Sequence, residues 1–376
     1  MDHRERTILA SAGVLALFLA VQLGALALVE PFQQEGHQVV EDTSNPSLSL
    51  GYVLVILVAT ALMLGVLKRG GASMLRVLLI FAGAYIAFFV LDVLAPSALA
   101  MTLAGVTFNP LAYGGAAAIG IALYVYPEWY VIDAAGVLMG IGAAGLFGIN
   151  FGLLPAVVLL VVLAVYDAIS VYGTEHMLTL ASGVMEMRVP VVLVVPLSLS
   201  YSFRDADPPA TLAGDEDTGD RAGDESEPLT AAALNDLSPE AVADLEASAV
   251  ADLDQETLDA LDADVREAIE AEFLERDALF IGLGDAVIPT VLVASAAVFL
   301  DSEPTVPLGV AEPPLAAVTA MAGTLLGLVV LLFLVTKGRA HAGLPLLNGG
   351  TIAGYLLGAL ASGIALAEAL GLSGAS

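Results

Sequence analysis

The sequence predicts an all-α fold, a polytopic membrane bundle of about nine transmembrane helices, and three observations carry that expectation. Mean hydropathy is +0.87 and 58% of the 376 residues are hydrophobic, far above a soluble domain. The apolar residues gather into runs about twenty residues long, the length a helix needs to cross a bilayer. The basic residues lie between those runs or, like Arg76, at a run's end, and all on one side. Candidate spans are 7–29, 51–67, 74–95, 110–126, 130–149, 153–174, 278–300, 314–336 and 344–368, the fourth being short.

Charge tests this count independently, because cytoplasmic loops collect Lys and Arg. Placing the N-terminus in the cytoplasm puts Arg4, Arg6, Lys68, Arg69, Arg76, Arg188, Arg204, Arg221, Arg266, Arg276, Lys337 and Arg339 there, which are all 12 basic residues. The opposite loops, around 30–50, 96–109, 150–152 and 301–313, and the C-terminal tail hold none. The expected arrangement is a multi-pass protein of the cell membrane with a cytoplasmic N-terminus, a cytoplasmic 175–277 loop and an extracellular C-terminus.

The first span begins after Arg4 and Arg6 and contains Ala25-Leu26-Ala27, features shared with secretory signals. Its apolar run exceeds a typical signal core, so it is expected to remain as a span. Spans one to five are aliphatic and rich in Gly and Ala, which let helices pack closely, and they read as scaffold. Asp92, near the outer end of the third span, and Asp133, near the inner start of the fifth, are expected to be interfacial carboxylates reaching water.

The sixth span carries Tyr166-Asp167 and exits through Gly173-Thr174-Glu175-His176-Met177, with His176 expected as a solvated helix-end residue. The β-branched run from Val189 to Pro196 is too short to cross. It reads as a strand or a membrane-lying stretch, serving either packing or as a sheet edge for an extended peptide. Residues 204–228 are rich in Asp, Glu, Gly and Pro and read as a linker. From Ser238-Pro239-Glu240 onward, Val242, Leu245, Leu253, Leu258, Leu261, Val265, Ile269 and Phe273 recur at near-helical spacing. That spacing predicts one or two acidic amphipathic helices, with solubilisation as their default role.

The seventh span carries Gly282-Leu283-Gly284-Asp285, with Pro289 able to free a backbone carbonyl. Gly282 and Gly284 are expected to let another helix approach. The last span opens with Ala342-Gly343-Leu344-Pro345. That is either an ordinary helix start with proline in the first turn or a set of exposed peptide groups able to bind an unwound substrate. The chain thus divides into 1–174, 175–277 and 278–376.

Asp167 and Asp285 organise the functional reading. An ionisable group at membrane depth is costly and persists mainly where a site uses it. If the 175–277 loop stays on one side, each lies about seven residues from the same face, roughly 10 Å deep at 1.5 Å per residue. Two carboxyls at one depth on neighbouring helices can meet, and like charges so close cannot both ionise, so the pair shares a proton. One then serves as base toward a water and the other as acid toward a peptide carbonyl. That is aspartyl proteolysis without a metal, cofactor or covalent intermediate.

Composition excludes other classes. The chain contains 0 Cys, which removes disulfides, thiolate enzymes and thiolate metal sites. Its net charge of −29 and pI near 4.1 make nucleic acid an unsuitable partner. Such acidity, present also in short loops at Glu41-Asp42 and Asp301-Glu303, fits a salt-rich cytoplasm and points to a halophilic archaeon or bacterium.

Gly-x-Gly-Asp is weak as a string in a chain with 37 glycines, and Tyr-Asp is weaker. Together, inside two spans at matched depth with a Pro-containing final span, they resemble the presenilin and signal peptide peptidase family of intramembrane aspartyl proteases. The likeness covers nearly the whole chain. It implies a presenilin-like fold, Asp167 and Asp285 as the catalytic pair, and support or substrate binding by Tyr166, Gly282, Leu283, Gly284, Gly343, Leu344 and Pro345. Val171-Tyr172-Gly173-Thr174 is similar to the residues after Tyr-Asp in signal peptide peptidases, whereas the orientation from charge looks like presenilin. The family's Pro-Ala-Leu tripeptide is matched by Ala342-Gly343-Leu344, keeping only the leucine. Implied partners are transmembrane helical protein substrates and membrane lipid; a homo-oligomer is allowed.

Three other readings compete. A proton- or cation-coupled transporter could use the same two aspartates, but no clear inverted repeat supports one. A type IV prepilin peptidase also has a Gly-x-Gly-Asp, and span number and final motif disfavour it. A structural protein with incidental aspartates must bear their cost in lipid.

Overall fold

The computed structural model describes residues 3–40, 43–67, 71–103, 106–173, 191–197, 234–235, 260–262, 265, 278–300, 302, 304–335 and 342–372. Thr174 to Met177, the 204–228 linker, and nearly all of the helices expected after Ser238 lie outside these residues, as do most of the basic loop residues. Arg4 and Arg6 lie near the start of one helix and Arg76 near the start of another.

Nine principal helices stand where nine spans are expected among the described residues. They are α1 (His3–Gln34), α2 (Ser47–Leu67), α3 (Ala72–Leu94), α4 (Pro110–Val125), α5 (Trp129–Asn150), α6 (Leu153–Gly173), α7 (Leu283–Phe299), α8 (Leu315–Val335) and α9 (Gly343–Ala361), followed by a short α10 (Leu366–Ala369). Seven of them are long and apolar enough to cross a membrane; α4 and α7 are shorter. Helix is the only local solution for such runs, since hydrocarbon offers no partner for an unpaired peptide group. Asn109 caps α4, its Oδ1 accepting from the Leu111 N–H at 3.1 Å, and Pro110 suits the first turn.

α5 is the hub. Its sequence Gly-Val-Leu-Met-Gly-Ile-Gly-Ala-Ala-Gly-Leu-Phe-Gly puts a bare backbone toward three neighbours. A methyl at Gly140 would touch Val21 and Leu283, at Gly142 Val90 and Ile86, at Gly145 Phe32, and at Gly148 Ala294. These residues belong to α1, α3 and α7. Close backbone approach of this kind drives helix association in lipid, where no hydrophobic difference does. α8 and α9 meet still more closely, through Gly323 and Gly327 against Gly350, Leu346 and Gly354.

Two short antiparallel sheets interrupt the helices. β1 (Met101–Leu103) pairs with β2 (Val106–Phe108), and β3 (Val192–Pro196) pairs with β4 (Ala278–Gly282). The register of the second sets Val192 against Gly282 and Pro196 against Ala278. Within the β-branched run after the sixth span, Val192–Pro196 is therefore a strand.

Two span boundaries need correction. The stretch expected to be helical from 278 opens as β4, and α7 begins only at Leu283. Ala-Leu-Phe-Ile is apolar enough for either state, and pairing with β3 decides for the strand; the Leu283 N–H continues the ladder to the Val191 carbonyl at 2.8 Å. The last span, expected to reach 368, ends at Ala361. There Gly363 adopts φ +79, and the N–H groups of Gly363 and Ile364 return to the carbonyls of Leu360 and Ala359, both at 3.0 Å. This Schellman closure stops the helix although apolar sequence continues.

Candidate active site

Asp167 sits in the last turns of α6. It is buried at 7% exposure, while its neighbours Val165, Tyr166 and Ile169 are 53%, 36% and 60% exposed. Successive helical residues point about 100° apart, so the aspartate faces the bundle and the tyrosine its flank. Tyr166 is thus beside Asp167 in sequence and on a different face.

Asp285 lies in the first turn of α7, three residues beyond the end of β4. A methyl built on Gly282 would stand 3.4 Å from its Oδ2, and one built on Gly343 would stand 3.7 Å from the same oxygen. Asp167 approaches the same dipeptide from the other helix. Its Oδ2 accepts from the Leu344 N–H at 3.0 Å. The two carboxyls therefore converge on Gly343-Leu344.

This geometry gives Gly282 and Gly284 neighbours other than the expected helix, and at Gly343 it agrees with the ordinary helix start of the two alternatives. Among the described residues Gly282 and Gly284 do not admit another helix: Gly282 makes room for the Asp285 carboxyl, and a methyl at Gly284 would touch Ile288 of its own helix and nothing else described. At the start of α9 the Leu344 amide is not free, because its N–H is given to Asp167. Ala342, the N-cap residue, has no side chain for that purpose, so a carboxylate from another helix supplies the cap. Leu283 is buried against Met139 and Leu193. Pro345 occupies the first turn of α9, where its missing N–H costs nothing. Pro289 brings no N–H to the Asp285 carbonyl.

Two residues support the site in ways that the sequence did not indicate. The buried Asn348 donates from Nδ2 to the Leu160 carbonyl at 2.9 Å, tying α9 to α6 two turns before Asp167. A polar amide in an otherwise apolar span was the available signal. Asp133 is the other: instead of reaching water it is 7% exposed and accepts the Val194 N–H at 2.7 Å. Asp92 is exposed, as an interfacial carboxylate would be. Among the described residues no group of three His, Cys, Asp or Glu is placed to hold a metal.

Two carboxyls beside one dipeptide are the kind of pair that acid–base hydrolysis requires, one as base and one as acid. Comparisons with known proteins agree in kind. The profile of the family described as "Signal-peptide peptidase, presenilin aspartyl protease" matches residues 15–222 and 249–364. A solved structure described as a presenilin family intramembrane aspartate protease in the C222 space group is similar at 30% identity, covering 93% of this chain and 99% of that one, with a TM-score of 0.56. The structure of such a protease in the P2 space group is similar at 30% identity, covering 93% and 97%, with a TM-score of 0.52. A search among curated protein sequences returned no match.

Proposed function

The chain belongs to the signal-peptide peptidase and presenilin family of aspartyl proteases, and from that premise we propose that Asp167 and Asp285 hydrolyse peptide bonds within transmembrane helices of membrane-protein substrates. The observation that carries this reading is the convergence of both carboxyls on Gly343-Leu344. The Asp167 oxygen that accepts the Leu344 N–H must be an acceptor there, so the shared proton resides on another oxygen of the pair. Asp167 then takes a proton from the bound water as its oxygen bonds to the peptide carbon. Asp285 protonates the carbonyl oxygen, giving a neutral tetrahedral diol. When the diol collapses, the proton held by Asp167 passes to the amide nitrogen, the C–N bond breaks, and Asp285 recovers its proton from the second hydroxyl. Water is consumed and no covalent enzyme intermediate forms.

A helical peptide bond is shielded by its own hydrogen bonds, so the substrate must extend before attack. The β3–β4 sheet runs directly into α7 and ends three residues before Asp285. It is a preformed template alongside which an unwound segment can lie as a further strand. Tyr166, Leu283, Gly343, Leu344 and Pro345 support that geometry as neighbours of the two carboxyls in chain or space. The charge pattern adds an orientation: N-terminus and 175–277 loop cytoplasmic, C-terminus extracellular.

The test is cleavage of a single-span reporter by the purified chain in lipid, with product masses. Asp167→Asn and Asp285→Asn are expected to abolish cleavage while the protein remains folded. Cleavage at the wild-type rate by either variant overturns the assignment.

A further inference from the structure

β3 has two edges, and β4 covers only one. The bond from the Leu283 N–H to the Val191 carbonyl sets the phase of the ladder. Hydrogen-bonded pairs fall at 191/283, 193/281 and 195/279, so Val192, Val194 and Pro196 turn their main-chain groups to the other edge. On that edge the Asp133 Oδ1 of α5 accepts the Val194 N–H at 2.7 Å. Pro196 has no N–H to offer. Asp133 is 7% exposed and Val194 1%, so a carboxyl has been taken into the bundle to hold one strand amide. That is a costly way to satisfy a single N–H.

The path from this contact to the site is continuous. Val194 packs with Ile132 and Ala135 of α5 and with Ala278 of β4. Leu193 packs with Met139 of α5 and with Leu283, and Leu283 is bonded to Val191. Two residues beyond Leu283 stands Asp285. We propose that Asp133 is a positioning residue that fixes the β3–β4 sheet on α5, closes the α5-side edge of that sheet to an incoming strand, and thereby sets which peptide bond meets Asp285. The proposal rests on the proposed dyad and on strand-wise holding of the substrate, and it assigns a role to a buried carboxylate that does not touch the reacting atoms.

A misplacement of about 1 Å at a reacting centre costs on the order of 100-fold in rate. The test uses the full chain in lipid with the single-span reporter and reads kcat, KM and product masses. Asp133→Ala is expected to lower kcat by at least about tenfold with KM within about threefold, and to add products cut at neighbouring bonds. Asp133→Asn keeps an acceptor oxygen and should restore the wild-type masses. Val194→Pro removes the same bond from the strand's side, at a position where an edge proline is tolerated, and should reproduce the altered masses. Unchanged masses and kcat in Asp133→Ala overturn the proposal. So does equal loss of folded protein in Asp133→Ala and Asp133→Asn, which would make the residue a general stabiliser. Asp285→Asn run alongside separates the two readings: an active Asp285→Asn overturns the dyad and this inference with it, whereas an inactive one beside an unaltered Asp133→Ala overturns this inference alone.

Discussion

Asp167 is oriented by the main-chain amide of Leu344, and the adjacent Gly343 sets how large a side chain can stand beside the two carboxyls. A methyl there would meet Leu331 Cδ2 at 3.3 Å and Asp285 Oδ2 at 3.7 Å. The first is the movable end of a side chain and the second is ordinary contact. Gly343→Ala, which restores the middle residue of the family's tripeptide, is therefore expected to keep kcat/KM within about threefold. Gly343→Val, whose branches fill the space between the carboxyls, is expected to lose at least about 100-fold, as misplacement at a reacting centre does; equal activity of the two variants in the reporter assay would refute this. Asn348 acts at one remove. Its bond to Leu160 is one interhelical polar contact, and such contacts in lipid average about 0.6 kcal/mol with a maximum near 1.7. Asn348→Leu should lower resistance to SDS unfolding by about 1 kcal/mol, and a variant as stable as wild type would show the bond to be idle.

At the scale of elements, α8 and α9 behave as one unit because glycines bring their backbones together. A methyl on Gly350 would overlap the Gly323 carbonyl, whereas one on the adjacent Gly349 meets nothing. Gly350→Ala is expected to push α9 from α8 and lower both stability and cleavage severalfold, and Gly349→Ala to change neither. Thermal unfolding and reporter turnover on the pair check it. The helices were legible because each long apolar run has one solution in lipid. The strand β3 was legible from its β-branched residues. β4 was not, since Ala278 to Ile281 is a short apolar run whose state periodicity cannot decide; only its pairing with β3 makes it a strand. The end of α9 was missed for a related reason, because hydropathy continues past Gly363 and the left-handed turn there is invisible to it. Asp133 was misread because sequence places it at a span boundary, where water would be close, without showing that β3 folds onto that boundary.

For the whole molecule, three helices far apart in sequence bring the candidate site together: α6 carries Asp167, α7 carries Asp285, and α9 begins between them. Depth matching in the sequence was enough to expect the pair, but not the dipeptide on which it converges. The 0 Cys composition allows that convergence to be measured without background. Asp167→Cys with Asp285→Cys, treated in native membranes with a short bismaleimide, should give an intramolecular cross-link, read by mass as one linker joining the two peptides. Asp92→Cys with Asp285→Cys is the control, Asp92 being an exposed residue at the far end of α3. Cross-linking of the first pair and not of the second is the expected result; a first pair that carries only two separate single-ended adducts contradicts the account.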